Sequence, residues 1–162
     1  MGTMVEDKKP TILIVDDEEM VTSALRSFLQ LETEYEIVTF TSPVDALAKV
    51  NGEPIDVVIA DFLMPEMDGV TFLKEVRDRR PEATRILLTG YADKENAIRA
   101  INEAGLYYYL EKPWDNEKLN VIIRNGVERA ALVRELDARV SELESAQGDL
   151  DGIRKRMIKA LL

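Results

Sequence analysis

Five β-rich runs alternate with amphipathic stretches through the first two thirds of this chain, and that alternation limits its fold more than any other feature. The runs are TILIV (11–15), YEIVTF (35–40), IDVVIA (55–60), RILLT (85–89) and LYYYL (106–110). Helical patterns lie between them, near 18–31, 43–50, 69–79 and 94–104. The first, third and fourth runs are almost continuously apolar, as strands buried on both faces of a parallel sheet must be. Ser42-Pro43 followed by Asp45 supplies a helix cap, a proline at the first helical position and an early acid. Gly105 stands where a glycine closes the fourth helix. Strict alternation predicts an α/β fold: a doubly wound, five-stranded parallel sheet with right-handed crossovers and helices on both faces.

In such sheets function gathers at the carboxyl ends of the strands. The first run ends at Asp16-Asp17, the third at Asp61, the fourth at Thr89 and the fifth at Lys112-Pro113. Four strands therefore deliver three carboxylates, a hydroxyl and an ammonium to one edge. Two carboxylates about 4 Å apart repel by roughly 4 kcal/mol at an effective dielectric near 20. A cation bound between them reverses that sign.

The chain contains no Cys and no His. That excludes a disulfide framework, a thiolate nucleophile, a Cys/His zinc site and a histidine general base. Any metal must be held by oxygen, which favours magnesium, manganese or calcium. The formal net charge is −10. It is concentrated in residues 1–115, which carry 12 Lys/Arg against 23 Asp/Glu, so direct nucleic-acid binding is not expected. No apolar run approaches membrane-spanning length and no secretory leader is legible, so a cytoplasmic location is expected. The opening MGTM reads as a vector-derived prefix ahead of Met4.

Four blocks, ILIVDDEE, VVIADFLMPEMDG, ILLTGYA and YYYLEKPW, together resemble the receiver domain of two-component response regulators. The order and the intervals match that family over about residues 10–128. The resemblance implies a flavodoxin-like strand order 2-1-3-4-5. It also implies phosphorylation of Asp61 by a histidine kinase or a histidine phosphotransfer protein. Asp16, Asp17 and Asp61 would hold Mg2+ with the backbone carbonyl of Leu63, and Lys112 would reach the phosphoryl oxygens. A cis peptide before Pro113 is implied as well. Thr89 would bond the phosphoryl group and Tyr109 would follow it inward as the switch pair. Tyr107 and Tyr108 adjoin Tyr109; counting back three from Lys112 selects Tyr109. KPW followed by DNE is similar to receivers attached to cyclic-dinucleotide enzymes or other signalling outputs.

The last helical pattern starts at Asn116 and continues without proline through at least Ala146. Thirty helical residues span about 45 Å, too long to lie on a domain whose radius of gyration is near 13 Å. Val133, Leu136, Val140, Leu143, Gln147, Leu150, Arg154, Met157 and Leu161 alternate spacings of three and four. This is a heptad seam with Val at early a positions and Leu at d, which favours two parallel strands. Arg139 at g can pair with Glu144 at e of a partner helix. Gly148 and Gly152 each cost roughly 1 kcal/mol in a helix interior, which predicts a break near QGDLDG with 153–162 separate.

The expected organisation is a flexible N-terminus at 1–9, a receiver domain at 10–128 and a coiled-coil extension at 129–162. The expected function is a phosphoacceptor that switches a coiled-coil homodimer or an attached output, and not an enzyme in its own right. Two alternatives stand beside it. One is a structural coiled-coil adaptor with an inactive receiver. The other is a magnesium-dependent aspartyl phosphatase of the haloacid-dehalogenase type, against which stands Leu63, where that family has a second Asp.

Overall fold

The computed structural model describes residues 8–90 and 94–161, without the side chains of Lys94, Asn96 and Arg99. Five strands, β1 (Thr11–Val15), β2 (Glu36–Phe40), β3 (Val57–Asp61), β4 (Thr84–Thr89) and β5 (Tyr108–Glu111), form one sheet. All pair in parallel, in the order β2-β1-β3-β4-β5. The helices are α1 (Glu19–Glu32), α2 (Pro43–Gly52), α3 (Gly69–Arg79), α4 (Lys94–Ala104) and α5 (Asn116–Leu161).

Strand side chains alternate between the two faces, so each buried strand feeds two cores. Leu13, Val15, Val58, Ala60 and Leu87 pack with Phe72, Leu73 and Val76 of α3 and with apolar residues of α2 and α4. Ile12, Ile14, Val57, Ile59, Ile86 and Leu88 pack with Leu25 and Leu29 of α1 and with Leu119, Ile122 and Ile123 of α5. β1, β3 and β4 are buried along their whole length, which accounts for their unbroken apolar runs. Truncating one of these fully buried leucines to alanine costs about 2–5 kcal/mol.

The caps form as the local sequence predicts. The Ser42 hydroxyl accepts from the Asp45 amide at 3.4 Å, and Pro43 opens α2. Asp68 accepts from the Thr71 amide at 2.8 Å and caps α3. Gly105, past the end of α4, takes φ +63°. Several expected strand boundaries move, β3 among them, which runs Val57–Asp61 rather than 55–60. β2 starts one residue later than the sequence pattern suggests, and β5 starts at Tyr108 rather than 106.

The chain divides into two compact units, Met1–Ala130 and Ala131–Leu162. The second contains α5 residues alone, and the predicted break near Gly148 and Gly152 does not occur. A Cβ at either glycine would meet nothing within 4 Å, so neither is required by packing. Their propensity cost is absorbed within a helix of 46 residues. No described helix is long and apolar enough to cross a membrane.

Candidate functional site

The parallel sheet brings the carboxyl ends of β1, β3, β4 and β5 to one edge, and the predicted residues meet there. Asp16 is completely buried, Asp61 is 8% exposed and Asp17 is exposed. Carboxylate oxygens from these three residues lie within 4.8 Å of one another. Lys112 reaches in from beyond β5. Its ammonium donates to Asp16 Oδ2 at 2.9 Å and lies 3.0 Å from Asp61 Oδ1. The other oxygen of Asp16 accepts from the Glu18 amide at 2.9 Å, which fixes the carboxylate at the mouth of α1. The Lys112-Pro113 peptide is cis, as the resemblance implies.

Local backbone positions Asp61 as firmly as the side chains do. The Phe62 amide donates to Leu88 O, and the Gly69 amide returns to Phe62 O, both at 2.9 Å. A Cβ at Gly69 would stand 2.1 Å from the Asp61 carbonyl oxygen. Glycine is therefore required there to let α3 start against the strand end. Neither the Gly69 contact nor the Asp68 cap was anticipated as part of the site. The D-G-V-T spacing that forms the cap was nevertheless legible.

Electrostatics at this edge are unbalanced. Burial raises the Asp61 pKa, Asp16 and Asp17 add to the rise, and the Lys112 hydrogen bond opposes it. Burial alone would lower the Lys112 pKa, but its hydrogen bonds to Asp16 and Asp61 outweigh that and raise it. One ammonium faces three carboxylates, so the cluster keeps an excess of negative charge. An all-oxygen donor set of this kind fits a hard divalent cation.

Thr89 lies beside this cluster, fully buried, and among the described residues its hydroxyl has no hydrogen-bond partner. An orphaned buried hydroxyl is costly. It is explained if an acceptor arrives. Tyr109 is half-buried against the α2–α4 side of the sheet and stacks on Tyr108, with ring centroids 6.1 Å apart. Tyr107 is 40% exposed and Tyr108 is 36% exposed. Leu63 is 61% exposed in the loop after β3. Tyr91, two residues past Thr89, lies outside the described residues.

The model of the response regulator receiver domain matches residues 12–124. The chain belongs to this receiver family. It is 39% identical over 142 residues to the hydrogenase transcriptional regulatory protein HoxA of Cupriavidus necator, covering 88% of this chain and 29% of that protein. It is 35% identical over 125 residues to the regulatory protein AtoC of Escherichia coli, covering 77% and 27%. Among solved structures, the signal receiver domain of an HD domain-containing protein from Pseudomonas fluorescens Pf-5 superposes with a TM-score of 0.76 at 33% identity, covering 83% of this chain and 98% of that one. The chain spans under a third of the length of the curated relatives named here. Receiver domains act in two-component signalling as phosphoacceptors for histidine kinases or phosphotransfer proteins, and they bind Mg2+ at an acidic cluster. The aspartyl phosphatase and inactive-adaptor alternatives are not favoured.

Proposed function

We propose that this receiver takes a phosphoryl group on Asp61 from a phosphohistidine of a kinase or phosphotransfer protein. An Asp61 oxygen attacks phosphorus, the histidine nitrogen leaves with its electron pair, and an acyl phosphate remains. Lys112, already within 3.0 Å of Asp61, neutralises charge on the transferring oxygens. Asp16, Asp17, Asp61 and the Leu63 carbonyl would hold Mg2+, which supplies further charge neutralisation at the phosphoryl oxygens. The Thr89 hydroxyl donates to the new phosphoryl group, and Tyr109 follows into the space it leaves.

The observation that carries this reading is the meeting of Lys112 with Asp16 and Asp61 beside a buried Thr89 hydroxyl that has no partner among the described residues. We read the domain as a cytoplasmic signalling module rather than an enzyme, without direct contact to nucleic acid. Its C-terminal extension pairs two copies through a coil at 133–146. Phosphorylation changes how Leu119 and Ile122 pack, and α5 carries the change into the coil or an attached output. Such a switch needs a gap of only a few kcal/mol. The test is peptide mapping after treatment with acetyl phosphate and Mg2+. Label on the peptide containing Asp61 is expected; label elsewhere, retained in Asp61→Asn, contradicts the assignment.

A further inference from the structure

Residues 131–161 form an uninterrupted helix whose apolar residues past Val133 lie bare. With Val133 at position a, Leu136, Leu143, Leu150 and Met157 fall at d and are 60–70% exposed. Gly148 falls at b and Gly152 at f, the outward positions of a two-stranded coil. The residues that threaten the helix thus lie off the seam. Past them the apolar face widens: Ile153 at g and Ile158 at e flank Met157 and leave a groove of about 510 Å³.

We infer that the surface pairing two copies of this chain does not stop at the glycines but runs to Leu161 as one parallel seam, with Gln147 as the layer that sets its register. This rests on the reading above that the extension dimerises. The occupant is a second copy because the charges select one. Asp137, Glu144 and Asp151 occupy consecutive e positions. An antiparallel pair sets e against e and brings acids onto acids. A parallel pair sets e against g, where the partners are Leu132, Arg139 and Ala146. Its only charged e–g pair is Arg139 with Glu144, which attract. One heptad past Ala146 and Asp151, the g–e contact joins Ile153 to Ile158 and closes the wide apolar face.

Gln147 is the polar a residue between the Val140 and Arg154 layers. In register it meets its own copy, and each amide can both donate and accept. A slip of one heptad sets it against Val140 or Arg154, and the amide pairing is lost. In the single chain its Nε2 donates to Asp151 Oδ1 at 3.3 Å, leaving the carbonyl oxygen and one N–H for the partner. Arg154 is the least favourable layer. Its long side chain can cover the seam with its apolar stem while the guanidinium reaches solvent.

The chain has no cysteine, so one introduced thiol is the only one present. Full-length Leu143→Cys, Met157→Cys and Gly152→Cys are each oxidised and run on non-reducing gels, with light scattering of the reduced proteins. Disulfide dimers are expected for Leu143→Cys and Met157→Cys but not for Gly152→Cys. Cross-linking at 143 without 157 overturns the extension and leaves the dimer reading intact. A scattering dimer that cross-links at neither overturns the parallel arrangement, and a monomer overturns the dimer reading itself. For register, Leu143→Cys and Leu150→Cys proteins are mixed with and without Gln147→Leu in both. Mixed 143–150 disulfides should rise several-fold with Gln147→Leu; an unchanged yield removes Gln147 from that role.

Discussion

Asp16 has one oxygen committed to the Glu18 amide and the other to Lys112, whereas Asp17 beside it is exposed. The two neighbours therefore divide the work: Asp16 is held in place and Asp17 is free to contribute charge. Asp17→Asn should weaken Mg2+ binding about tenfold, the factor that 1.4 kcal/mol represents, without unfolding the sheet. Trp114 is the only tryptophan and follows Lys112 by two residues, so its fluorescence reports the titration. An unchanged midpoint contradicts the cation role. Leu63 is the exposed apolar residue two positions past Asp61. On the proposed reading its bulk would obstruct in-line attack of water on the acyl phosphate, so Leu63→Asn should shorten the phosphoprotein lifetime several-fold. A decay assay that finds an equal or longer lifetime refutes this. That Asp16, Asp17, Asp61 and Lys112 would meet was legible because each follows a strand at one edge of a parallel sheet. The requirement for Gly69 was not legible, because what forbids a Cβ there is the backbone of Asp61, which only the packed fold brings near.

At the scale of elements, β4 joins the site to the opposite sheet edge. Thr89 stands at its carboxyl end, and Arg85, 6% exposed, stands near its start. The Arg85 guanidinium donates to the carbonyls of Gly105, Pro81 and Ala83, which ties the end of α4 to the sheet. Burial pushes its pKa down to about 10, with Arg129 and Arg77 adding to the effect, so it stays charged at neutral pH. Arg85→Met keeps the apolar stem but leaves those carbonyls without the donor. It should lower stability by about 2 kcal/mol in urea unfolding while phosphorylation persists. A loss within error would mean that water replaces the guanidinium. The sequence could not disclose this role, since a charged residue opening an apolar run reads as a strand boundary and its Gly105 acceptor lies 20 residues further on. β5 was placed two residues early for a related reason. The Tyr107 amide does bond to Arg85 O at 2.9 Å, yet the ladder begins only at Tyr108. α5 was misjudged at its glycines because propensity was weighed residue by residue instead of over the whole helix.

Across the whole molecule, an acidic receiver and a helical extension with nearly balanced charge share one chain. The receiver's fold followed from strand-helix alternation and its chemistry from strand ends, since both are local patterns. Pairing of the extension is an association, and a single chain displays only the bare seam. Leu136→Glu with Leu143→Glu sets like charges into two d layers and should give a monomer by light scattering that still accepts phosphate. A dimer that survives both substitutions removes the 133–146 layers from the interface and leaves the distal seam or the receiver to hold it. The central claim is that one phosphoryl group is carried on Asp61 with help from a divalent cation. Intact mass spectrometry after acetyl phosphate treatment tests it most directly, with wild type and Asp61→Asn each run in Mg2+ and in EDTA. The account predicts a single phosphoryl addition for wild type in Mg2+, little in EDTA and none for Asp61→Asn. Equal addition to both proteins, or addition indifferent to EDTA, would contradict it.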